Sequence, residues 1–132
     1  MLFLEISRKE SHVLIKVKDY SVISSGHRQL YVGVPPAFAR AHSLKKGSMV
    51  YVYMTSKHPD WIIISSSLLD LSTKTRIFVN AYKLHPVGTQ SLRVKIPPIY
   101  RDTIGVEKGD RLSAFLTNDQ ELIYYHQEKE HE

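Results

Sequence analysis

The chain has 132 residues, 42% of them hydrophobic, a formal net charge of +5 with a pI near 9.4, and no cysteine. That is enough apolar material for one core. No apolar run approaches the roughly 20 residues that a membrane-spanning helix needs, and without cysteine neither disulfides nor thiolate metal sites can form. The charge is uneven: residues 1–66 hold nine Lys/Arg against four Asp/Glu, and residues 67–132 hold nine against nine. A moderately basic domain of this size points to a polyanionic partner.

In chain order, "MLFLEISRKESH" is apolar before it is basic, which reads as a strand near 2–7 and a turn and not as a signal peptide. Alternating apolar residues bounded by Gly, Pro, Ser and Asn then predict strands near 12–18, 28–34, 49–54 and 61–66. After the short apolar linker "SSLLDLSTKT", further strands are expected near 76–83, 91–96, 111–117 and 121–126. Helices are predicted only near 36–42 and 98–104. Pro36 and Pro98 suit a first helical turn, whose N–H groups have no intrahelical acceptor, and Pro35 and Pro97 hold the residue before them extended. Gly105 can close the second helix in the left-handed conformation, whereas its counterpart Ser43 should close the first less cleanly. Gly47 and Gly109 close tight turns into the next strand.

The two halves are related. At an offset of 62, "LYVGVPPAFARAHSLKKGS" lies over "LRVKIPPIYRDTIGVEKGD", and over positions 30–55 there are identities at Leu30/Leu92, Val32/Val94, Pro35/Pro97, Pro36/Pro98, Lys46/Lys108, Gly47/Gly109 and Thr55/Thr117. Unrelated segments of this length share roughly one or two residues. The chain therefore reads as an internal duplication, with repeat one at about 12–66 and repeat two at about 76–126. Each copy is too small to bury a sizeable core alone and would leave open sheet edges. Two interlocked copies would make one domain, closed as a barrel with pseudo-twofold symmetry.

The run "RVKIPPIYRDTIGVEKGDRLSAFLTNDQELIYY", and more weakly "LYVGVPPAFARAHSLKKGSMVYVYM", resembles the AbrB/MazE/SpoVT superfamily of swapped-hairpin DNA-binding domains. The resemblance implies a mostly β fold, a swapped-hairpin (AbrB-like) β-barrel of two β-β-α-β-β repeats, each with one short helix. Family members are usually homodimers that exchange hairpins, so a tandem copy implies an intrachain pseudo-dimer. It also implies binding of double-stranded DNA through basic residues of the first hairpins and helices, as in a transcriptional regulator or a chromatin-associated protein of the nucleoid in the cytoplasm. The family's adjacent helix arginines are here divided: Arg101 is followed by Asp102, and Arg40 is preceded by Ala39.

The candidate DNA contacts are Lys16, Lys18, His27 and Arg28 in the first hairpin, Lys83, His85, Arg93 and Lys95 in the second, and Arg40 and Arg101 on the helices. Lys and Arg neutralise phosphates and release counterions, and Arg can also read guanine bidentately. The seven histidines have no paired ligand spacing, so no metal site is expected. No phosphate loop, nucleophile elbow or diagnostic carboxylate pair is present, so neither an enzyme, a cofactor nor a small-molecule substrate is expected. Tyr51, Tyr53, Tyr124 and Tyr125 read as ordinary strand aromatics. The alternatives are a protein-interaction or assembly module, including further self-association of the pseudo-dimer, and an antitoxin, for which the trailing "QEKEHE" is short.

Overall fold

The computed structural model describes residues 14–26, 29–69, 75–118 and 120–127. The strand expected near 2–7 and the middle of the linker lie outside these residues. Among the described residues ten strands and two helices follow in order: β1 (Leu14–Ser21), β2 (Ile23–Ser25), β3 (Gln29–Gly33), α1 (Pro36–Ala41), β4 (Met49–Met54), β5 (Trp61–Ser65), β6 (Ile77–Lys83), β7 (His85–Val87), β8 (Ser91–Lys95), α2 (Pro98–Ile104), β9 (Arg111–Thr117) and β10 (Leu122–His126). The fold is mostly β. Every pairing is antiparallel, in a six-stranded sheet β1-β9-β10-β5-β4-β6 and a four-stranded sheet β2-β3-β8-β7.

Exchanging β1–β5 for β6–β10 reverses each strand order and leaves it otherwise unchanged. Four of the eight described pairings are between halves: β1 lies on β9, β6 on β4, β10 on β5 and β3 on β8. Val32 faces Val94 in the β3/β8 register. These two residues are related by the 62-residue offset, so the point about which the strand order reverses lies between them. Among the described residues the strands form two sheets around a common core and not one closed ring.

The sheets are joined where a strand turns a corner. β1 runs into β2 through Val22, and β6 into β7 through Leu84; both corner side chains are buried in the core. The N–H of Val22 donates to the carbonyl of Asp110 at 2.8 Å and that of Gly109 donates to the carbonyl of Val22 at 2.9 Å. Leu84 has the same arrangement with Ser48 and Gly47, both bonds at 2.9 Å. Each Lys-Gly turn therefore clasps the corner of the other half. The glycines adopt φ of +85° and +91°, where a Cβ is disfavoured.

Inward residues of both sheets make the core: Val32, Val50, Val52, Ile62, Ile64, Val94, Leu112, Leu122 and Tyr124 are at most 1% exposed. Burying each aliphatic side chain contributes about 1.5–3 kcal/mol. The helices cover this core with one large side chain each, Phe38 and its counterpart Tyr100. The Tyr100 hydroxyl donates to the carbonyl of Asp60 at 2.5 Å, fastening α2 to the β4–β5 turn of the other half, and burial raises its pKa above the ordinary phenol value.

The helix ends differ from expectation in one respect. Gly105 closes α2 at φ +80°, but Ser43 takes the same left-handed conformation, φ +54°, despite its Cβ. The bonds that follow are alike, from Val106 N–H to the Arg101 carbonyl at 3.1 Å and from Leu44 N–H to the Ala39 carbonyl at 2.8 Å. Serine thus closes α1 as completely, under local strain.

Candidate nucleic-acid interface

One face of the four-stranded sheet supplies Leu30, Val32 and Val94 to the core. The register then fixes the residues of the opposite, outer face: Ile23, Tyr31 and Lys95 in one row, Gly33, Arg93 and His85 in the next, with Ser25, Gln29, Val87 and Ser91 toward the hairpin tips. None of these residues is acidic.

The centre of this face is Tyr31, only 7% exposed although it points away from the core. The Arg93 guanidinium lies over its ring at 4.3 Å, and the His85 ring meets it edge-on at 5.7 Å and 82°. The Tyr31 hydroxyl donates to Gln29 Oε1 at 2.8 Å, which fixes the ring's direction. Among the described residues Arg93 meets no carboxylate, and its buried Nε has no hydrogen-bond partner. Stacking orients the guanidinium without cancelling its charge, and a contact of this kind contributes about 0.5–2 kcal/mol. The ordering matters because a free arginine side chain carries roughly 2 kcal/mol of rotamer entropy.

Lys95 is held in the same manner, its Nζ 5.7 Å from the Tyr82 ring. In the other half, Lys18 Nζ lies 5.2 Å from the equivalent Tyr20 ring. Burial raises the pKa of both phenols, so each ring faces its lysine as a neutral surface.

The structure thus brings His85, Arg93 and Lys95 together on the outer face, with Lys83 exposed at the end of β6 just before the Leu84 corner. Lys18 is exposed on β1, an edge strand of the six-stranded sheet. Lys16, on the same strand, is engaged by Asp19 at 3.0 Å. Arg40 is exposed in the last turn of α1, and Arg101 in α2 meets Asp102 at 3.1 Å. His27 and Arg28 lie outside the described residues.

Reasoning from the sequence missed the aromatic supports Tyr20, Tyr31 and Tyr82. The identity of Tyr20 and Tyr82 at the 62-residue offset was an available signal; the role of Tyr31 emerges only from the β3/β8 register. Among the described residues no group of three or more His, Asp or Glu could hold a metal ion, and no helix is long and apolar enough to cross a membrane. No family model, curated protein or solved structure matches the chain.

Proposed function

We propose that the chain is a swapped-hairpin, AbrB-like pseudo-dimer that binds double-stranded DNA through the outer face of its four-stranded sheet, acting as a transcriptional regulator or chromatin-associated protein. The observation that carries this reading is a face bearing Arg93, Lys95 and His85 with, among the described residues, no acidic residue, its two permanent cations oriented by aromatic rings and not by described carboxylates. A duplex presents closely spaced phosphates, and cations left without a neutralising carboxylate are free to displace its counterions. The reversal of each strand order on exchanging the halves supports two copies about a twofold axis, and the pairing of β1 with β9 and of β6 with β4 supports an exchange of strands between them.

A second reading, an assembly module, draws on apolar residues of the two edge strands of the six-stranded sheet: Ile15 is 63%, Ile77 60% and Phe78 44% exposed. Fluorescence anisotropy with a labelled random-sequence duplex across a salt series separates the two. Under the first reading log affinity falls steeply with log salt, by about 0.9 per neutralised phosphate, and Arg93→Gln/Lys95→Gln lowers that slope by about 2. Absence of binding at low salt, together with concentration-dependent association in sedimentation, would transfer the case to the assembly module.

A further inference from the structure

Among the described residues, the cations of the outer face all belong to one half. At the 62-residue offset, Lys83, His85, Arg93 and Lys95 correspond to Ser21, Ile23, Tyr31 and Gly33. The point of reversal between Val32 and Val94 therefore relates two unlike surfaces: Tyr31 faces Lys95 across it and Gly33 faces Arg93, so both cations come from β8.

Packing maintains the difference. The Tyr20 ring lies across Gly33, and a Cβ there would meet Tyr20 Cδ1 and Cε1 at 2.8 Å. A lysine cannot occupy position 33 while Tyr20 stays in place. In the other half the equivalent ring, Tyr82, stands beside Lys95 at cation–π distance. The helix arginines are also non-equivalent, since Arg40 corresponds to Asp102 and Arg101 to Ala39, and the sequence has His27 and Arg28 where the second half has Thr89 and Gln90.

Resting on the DNA-binding reading, we infer that one chain docks on the duplex in a single orientation and takes a non-palindromic site, with the second half supplying the strand cations of the sheet and the first half different contacts. A symmetric dimer reads two identical half-sites because its two faces are identical. Here the faces are not, and turning the duplex about the pseudo-axis would set phosphates opposite Ile23 and Gly33 in place of His85 and Lys95.

The test is selection of tight-binding duplexes from a random pool by the full chain, followed by hydroxyl-radical footprinting on the recovered duplex. The expected consensus lacks dyad symmetry, with one chain bound per site and unequal protection on either side of its centre. Arg93→Gln/Lys95→Gln should erase one block of that protection, lowering the salt slope by about 2, and Lys95→Gln alone should weaken it while the protein stays folded, its thermal midpoint falling by no more than the few degrees that loss of the Tyr82 contact accounts for. A palindromic consensus with two equal blocks would overturn one-sided docking while leaving DNA binding intact. An asymmetric footprint indifferent to both variants would overturn the assignment to β8, and failure to recover any duplex would overturn this inference together with the reading beneath it.

Discussion

Substitution of Gly33 by alanine tests the packing that keeps the two halves unlike. The Gly33 backbone does not have positive φ, so alanine meets no conformational obstacle and would, on chain entropy alone, stabilise by about 0.4–1 kcal/mol. Against this, the added Cβ stands 2.8 Å from two carbons of the Tyr20 ring, when ordinary contact begins at 3.4 Å. The ring must give way by more than half an ångström. It is confined by Tyr124 at a centroid distance of 6.5 Å and by Lys18 on its face. Overpacking of this kind costs about 1–3 kcal/mol, so the net effect is destabilisation by about 0.5–2 kcal/mol. Urea denaturation of wild type, Gly33→Ala, Tyr20→Ala and the double variant completes a cycle in which the penalty disappears once the ring is gone, with a coupling of about 1–3 kcal/mol. A stabilised Gly33→Ala protein, or the same penalty with and without Tyr20, would refute the argument that Tyr20 bars a side chain from position 33.

Ser43→Gly relieves a left-handed backbone and should raise stability by about 0.5–1 kcal/mol, whereas Gly105→Ser, whose Cβ would meet nothing within 4 Å, should lower it by a similar amount through conformation alone; thermal melts of both variants check the sign. Arg76 and Glu121 form a buried pair at 3.2 Å, with side chains 4% and 1% exposed. Arg76→Met removes the guanidinium that donates to the buried Glu121 carboxylate and should cost up to about 3–5 kcal/mol, whereas Arg76→Met/Glu121→Leu should recover part of that loss, as guanidinium denaturation would show. The Asp19 carboxyl is held below its ordinary 3.8, first by the Ser113 hydroxyl and then by Lys16. A carboxylate depressed in the folded state stabilises above its unfolded pKa, and this contribution is lost as pH falls through the folded value. Between pH 5 and pH 2, Asp19→Asn should therefore flatten the acid loss of stability; an unchanged acid profile would remove Asp19 from the account.

Much of the framework was legible because it is punctuated locally. Pro-Pro marks the end of a strand and the start of a helix, Lys-Gly marks a turn, and short β-branched and aromatic runs between turn residues mark strands such as Met49–Met54 and Arg111–Thr117, whose observed bounds match those expected. β2 and β7 were not legible: at three residues each, "ISS" and "HPV" are too short to show a period, and Pro86 argues against a strand unless it lies at an edge, where β7 does lie. The candidate interface was harder. Its basic residues could be named from their hairpins, but Arg93 meets Tyr31 through a pairing between strands some sixty residues apart, which no local pattern encodes. Counting charge by halves placed the positive excess in residues 1–66, whereas the described cations on the outer face of the four-stranded sheet are those of the second half.

The pairing of β1 with β9 has a consequence during synthesis. Lys16 faces Phe115, a partner made 99 residues later. At about 5–20 residues per second, β1 leaves the ribosome some 5–20 s before its partner strand has been translated. For that interval an apolar segment containing Leu14, Ile15 and Val17 has nowhere native to go. Its lysines at 16 and 18, and the bulge between them, are the features that discourage a strand from pairing with the wrong chain. The same lysines that read as nucleic-acid contacts thus have a second use, as guardians of a nascent chain in which the first of the described strands must wait for almost the last.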